Sequence, residues 1–189
     1  VQQISSMFES AALFDADLSK WDVSSVTDVT DMFSWLISFN GDLSKWDVSG
    51  VSCMHGMFFQ ARSFNADISN WDVSSVTAMS SMFSGATSFS GDLSKWDVSS
   101  VVDISCMFRG AVAFNGDISQ WDVGRVINMA SVFNSAAAYT GGSLEWHVSR
   151  VVTMTSVFNR ATSFNGDVSQ WDVSSATTMN SMFNGATSF

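Results

Sequence analysis

Ile68–Asp92 reads ISNWDVSSVTAMSSMFSGATSFSGD, and the same pattern recurs every 25 residues along the chain. Tryptophan pins the register at Trp21, Trp46, Trp71, Trp96, Trp121, Trp146 and Trp171, with no insertion or deletion between them. A strict period of this length makes each repeat one structural unit stacked on the next. Within the unit, Trp71 and Val73 are two apart and share one face, as in a strand, while Asn70, Asp72 and Ser74 point the other way. After Ser75 the spacing changes. Val76, Met79, Met82, Phe83 and Ala86 follow one another mostly at threes and fours, which predicts a helix. Ser74 and Ser75 are placed to cap it, and Gly85, like Gly110 and Gly185, stands where it would stop.

The expected architecture is therefore an α/β solenoid spanning residues 1–189 as one domain, with about seven rungs of 25 residues. Short parallel strands would line one, concave side, about 4.8 Å apart, and short helices the other. A pure β-helix is the alternative, disfavoured because V-x-x-M-x-x-M-F-x-x-A lacks strand alternation. The core is written in columns. Phe8, Phe33, Phe58, Phe83, Phe108, Phe133, Phe158 and Phe183 form one. Phe14, Phe39, Phe64, Phe89, Phe114, Phe164 and Phe189 form a second, with Tyr139 at its gap. Stacked rings bury large areas, and methionines fill the irregular space between them.

The run L-S-K-W-D-V-S-S-V-T (Leu18–Thr27) resembles the leucine-rich-repeat signature, with apolar residues at its first, fourth, sixth and ninth places. The longer pattern F-N-x-D-I-S-x-W-D-V-S-S-V-T-x-M-x-x-M-F is similar to the repeat of BspA-like surface proteins, and the likeness covers essentially the whole chain. The resemblance implies a leucine-rich-repeat-like solenoid on a surface or secreted protein, used for adhesion or protein binding. It carries no catalytic residues over.

Composition narrows the function classes. The formal net charge of −10 argues against binding a nucleic-acid backbone or anionic lipid by charge. No apolar run is long enough to span a membrane, so no membrane insertion is expected of this segment. Cys53 and Cys106 occupy different places in the repeat and lie two rungs apart, roughly 10 Å along the axis. That exceeds disulfide reach, so both are expected as free thiols. Val1 corresponds to Val26 and so opens mid-repeat, and no polar capping repeat is visible at either end. A fragment of a longer chain is the expectation.

Asp22, Asp47, Asp72, Asp97, Asp122 and Asp172 form an exposed column on the concave face, and Asp17, Asp42, Asp67, Asp92, Asp117 and Asp167 a second in the preceding turn. Like charges at rung spacing repel by roughly 1 kcal/mol even in water, so something must offset them. Calcium or a glycan is one candidate. Aspartate accepting backbone N–H bonds in turns is the simpler one, aided by Lys20, Lys45 and Lys95 two residues before an aspartate. No D-x-D-x-D-G loop is present, no metal site is assigned, and no cofactor is expected. Asn40, Asn65, Asn115 and Asn165 suggest a hydrogen-bonded ladder.

Departures from the repeat carry more information. MFSWLISF in the second rung replaces the usual MFSGATSF, so Trp35 and Ile37 stand where other rungs carry small or polar residues, and Phe59 follows one rung on. Clustered apolar residues of this kind mark an interaction patch. In YTGGSLEWHVSR (Tyr139–Arg150), Gly142 and His147 replace the two aspartates, and Leu144 is displaced by one. Arg125 and Arg150, stacked in successive rungs, would join His147 in a small anion-binding spot. No Ser/His/Asp order, phosphate loop or Cys/His metal spacing appears, so no enzyme is expected. Three readings follow. The first is a non-catalytic protein-interaction module at the cell surface or secreted. The second is a scaffold subunit of an organellar or extracellular assembly with end-to-end contacts. The third is a calcium- or glycan-binding surface.

Overall fold

The computed structural model describes residues 2–14 and 16–189; Val1, whose place in the repeat suggested a cut end, lies outside them. The described chain winds as stacked 25-residue rungs, numbered here by Phe8 (first), Phe33, Phe58, Phe83, Phe108, Phe133, Phe158 and Phe183 (eighth). Isolated parallel bridges join equivalent residues of successive rungs, from Gln3↔Asp28 through Asp28↔Cys53, Cys53↔Ala78 and Ala78↔Asp103 to Thr153↔Thr178.

The expected alternation of short strands and short helices is overturned. The described residues contain no α-helix, and their only sheet pairing is isolated bridges. The bridge column falls at Ala78, inside the segment whose spacing predicted a helix, while Trp71-x-Val73 forms no strand. The backbone hydrogen bonds give the reason. Met79, Ser81, Phe83 and Gly85 donate N–H to Asp103, Ser105, Met107 and Arg109 of the next rung. Met82, Ser84 and Ala86 donate instead to Met79, Ser81 and Phe83 in their own rung. Alternate amides therefore leave the rung, and a helix cannot form, because it would direct them all to i−4. Two left-handed residues per rung enforce this path. One column holds Asp31, Gly56, Ser81, Cys106, Ser131, Ser156 and Ser181 at φ between 52° and 59°. The other holds Trp35, Gln60, Gly85, Gly110, Ser135, Arg160 and Gly185 at φ between 56° and 77°.

The three-residue apolar spacing is thus a succession of turns. Val76 bonds to Val73, Met82 to Met79, Ala86 to Phe83 and Phe89 to Ala86. Both corners of each turn point inward, and Val73, Val76, Met79, Met82, Phe83, Ala86 and Phe89 are all buried.

The rings stack as columns. Centroids along the Phe8–Phe183 column lie 5.5 to 5.9 Å apart, and Tyr139 fills its place between Phe114 and Phe164 at 5.9 and 6.3 Å. Tryptophan adds a bond the sequence did not disclose. Each indole N–H from Trp46 onward donates to a carbonyl of the preceding rung, as Trp96 does to Ile68 at 3.1 Å and Trp121 to Leu93 at 3.0 Å. Displaced Leu144 keeps this function. It is buried, and its carbonyl accepts the Trp171 indole at 3.1 Å. Gly141 and Gly142, both at positive φ, absorb the shift. Both cysteines are free thiols, and no helix among the described residues is long and apolar enough to cross a membrane.

Candidate binding face

The aspartates of both columns bond locally through Oδ1. Asp67 Oδ1 accepts the Ser69 N–H at 2.9 Å, and Asp92, Asp117 and Asp167 repeat this in their rungs. In the other column, Asp22, Asp47 and Asp72 each take both the N–H and the hydroxyl of the serine two residues on, the hydroxyl at 2.6 Å. Hydrogen bonds from Ser49 hold the Asp47 carboxyl below the ordinary carboxylate range, although Asp72 and Asp22 push it up. The turn bonds therefore outweigh the rung-to-rung repulsion. Lysine assists the other column from the one expected: Lys20 acts on Asp17 and Lys45 on Asp42. No group of three His, Cys, Asp or Glu side chains among the described residues is arranged to hold a metal ion. The asparagines form the ladder their column suggested, with Asn40, Asn65 and Asn115 Oδ1 each accepting a backbone N–H from the next rung at 2.7 to 2.9 Å.

The residues of the proposed anion spot, Arg125, His147 and Arg150, are all exposed. His147 lines shallow grooves with Glu145, Asp122 and Asp167, and the two arginines stand two residues before the exposed Ile127 and Val152.

A nearer approach to catalytic geometry is His55, whose Nδ1 lies 2.6 Å from Ser80 Oγ. Burial pushes the Asp31 carboxyl up, with His55 opposing. The Asp31 and Gly56 N–H groups donate to the carbonyls of His55 and Ser80.

Trp35 and Phe59 meet. Their rings are 5.6 Å apart and nearly perpendicular, and the Trp35 N–H donates to the Phe59 carbonyl at 2.7 Å. Trp35 is 43% and Ile37 44% exposed, with Phe59 half-buried. Trp35 also occupies a left-handed column, at φ 61°, where Gly85, Gly110 and Gly185 stand in other rungs. A left-handed non-glycine residue costs roughly 1–2 kcal/mol, and Gln60 and Arg160 bear the same cost at φ 56° and 57°.

Wrapping the chain into rungs places further residues on this face that the sequence did not single out. Phe59 and Arg109 share one column, Trp35 and Arg160 a second, and Ile37 and Arg62 a third. Arg62, Arg109 and Arg160 line one groove of about 750 Å³, together with Gly85, Gly110 and Phe59. No carboxylate lines it. In these three columns every described residue from the second rung to the eighth is uncharged or arginine, in a chain with 18 acidic residues. The available signal was that these arginines, out of only 8 basic residues, fall at the repeat positions of the aromatic patch.

The family model described as Mycoplasma protein of unknown function, DUF285, matches residues 1–90, 44–144 and 118–189, which together span the chain. Three overlapping matches along one chain reflect its repeats. No curated protein matches it.

Proposed function

We propose that this chain, which belongs to the repeat family described as Mycoplasma protein of unknown function, DUF285, is a non-catalytic protein-binding module. The BspA-like resemblance favours a surface or secreted setting for it. One observation carries the reading. The departures from the repeat, Trp35 with Phe59 and the arginines Arg62, Arg109 and Arg160, collect on one face, whose groove has no carboxylate in its lining. The repeated columns, by contrast, are accounted for by stacking and turn bonds. A photo-crosslinking residue placed at Thr87, on this face, is expected to give a discrete protein adduct in the intact source. Placed at Asn70, on the aspartate side, it is expected to give none, and Trp35→Ala combined with Arg109→Ala should abolish the Thr87 adduct. Equal labelling from both sides would reject the assignment.

A further inference from the structure

We infer that the arginine groove holds an extended acidic peptide in polyproline-II form, with a carboxylate at every third residue. This rests on the reading of that face as the contact surface and adds the chemistry of its ligand.

The spacing carries the inference. Arg62, Arg109 and Arg160 belong to the third, fifth and seventh rungs. Rungs joined by backbone hydrogen bonds lie about 4.8 Å apart, so successive arginines are offset by roughly 10 Å along the axis, and their long side chains reach the groove from three neighbouring columns. A polyproline-II chain rises about 3.1 Å per residue with three residues per turn, returning a side chain to the same face every ~9.3 Å. A β-strand returns one about every 6.7 Å, which falls out of register by the second arginine. An α-helix returns a side chain at a similar interval over two turns; the aromatic end of the groove at Phe59 and the asparagine amides in its lining favour the extended chain.

The rest of the lining fits. Gly110 presents no side chain and has open space above it, so a ligand backbone can approach closely there, beside the Gln60 carboxamide that covers Gly85. Asn134 and Asn159 supply amides to a polyproline-II backbone, which makes no hydrogen bonds of its own. Phe59, backed by Trp35, offers the aromatic surface on which proline docks. The aspartate columns lie on other parts of the rung, and screening beyond about 8 Å at physiological salt weakens their repulsion of an acidic ligand.

The test is fluorescence anisotropy of a labelled (Glu-Pro-Pro)4 peptide titrated with the 189-residue chain. Binding is expected, weakening with salt, and stronger than to (Gln-Pro-Pro)4 or to (Glu-Thr)6, which carries its charges at strand spacing. Arg62→Gln, Arg109→Gln and Arg160→Gln should each weaken it about three- to tenfold, while Lys20→Gln and Lys45→Gln should leave it unchanged. Equal binding of the glutamine peptide, or indifference to the arginines, would overturn the inference. Arginine-dependent binding of heparin or polygalacturonate without peptide binding would also overturn it in favour of an acidic glycan, leaving the face intact as a contact surface. Loss of the Thr87 crosslinking contrast, by comparison, removes the face itself.

Discussion

The aspartate side and the arginine side of each rung are cut from one template but respond to change in opposite ways. On the aspartate side, Asp67, Asp92, Asp117 and Asp167 repeat one bond to one serine two residues on. Each of these carboxylates has local work, and its repetition follows from the stacking of identical turns. On the arginine side, one left-handed column runs through tryptophan, glutamine, glycine, serine and arginine with little change in backbone. Regularity marks residues that hold the rung together, and irregularity marks residues the rung tolerates. In a stacked repeat the tolerated positions are those free to acquire a ligand.

That contrast can be broken hardest in the core. Phe108 is fully buried, 5.7 Å from both Phe83 and Phe133 and 4.0 Å from Phe114. Phe108→Ala should destabilise the fold by about 3–5 kcal/mol in denaturant unfolding. A loss under 1 kcal/mol would mean that the ring columns are incidental to stability. Gly56→Ala comes next. Other rungs hold a Cβ at this left-handed position, as at Ser81 and Cys106, but at Gly56 it would overlap the Asp31 carboxylate, which must swing aside. The expected loss is about 1–2 kcal/mol, and Gly110→Ala should lose less, because its Cβ would meet nothing closer than 3.8 Å.

How much of this could be read in advance follows the same division. The 25-residue stack, the ring columns and the asparagine ladder are legible because each repeats a residue type at one position. The helix was misread because a three-residue apolar spacing belongs equally to a succession of β-turns, whose first and fourth residues both face inward. Serine gives no signal of a left-handed backbone, so Ser81 at φ 59° could not announce that the helix is interrupted. Trp35, Ile37 and Phe59 stood out as breaks in a pattern. Arg62, Arg109 and Arg160 did not, since each is unremarkable within its own repeat and they become neighbours only when the rungs are stacked.

Acid sharpens the comparison from the aspartate side. Hydrogen bonds from the serines two residues on depress the Asp17, Asp42, Asp67 and Asp72 carboxyls below their ordinary value. A group with a depressed folded pKa stabilises above its unfolded pKa, near 3.9, and that contribution is lost as pH falls through the folded value. Melting temperature should therefore fall below about pH 4. Asp31, pushed up by burial, works against this trend, so Asp31→Asn should steepen the acid loss. A melting temperature flat down to pH 2 would show that the turn bonds contribute nothing.

Substitutions at Trp35 and Gln60 discriminate most sharply. Trp35→Gly relieves a left-handed tryptophan, a gain of roughly 1–2 kcal/mol, and removes an edge-on contact with Phe59 worth about 0.5–1.5 kcal/mol. At 43% exposure more than half of the Trp35 surface is buried, and removing it costs a further ~2–3 kcal/mol. The net loss should be about 1–3 kcal/mol, while the Thr87 crosslink should disappear. A residue kept for packing alone would give that loss with the crosslink unchanged. The same substitution at Gln60 removes no aromatic partner, so Gln60→Gly should stabilise slightly, by about 1 kcal/mol. If glycine is accepted at both places but only Trp35 alters binding, that column is a backbone constraint on which one rung has placed a contact residue.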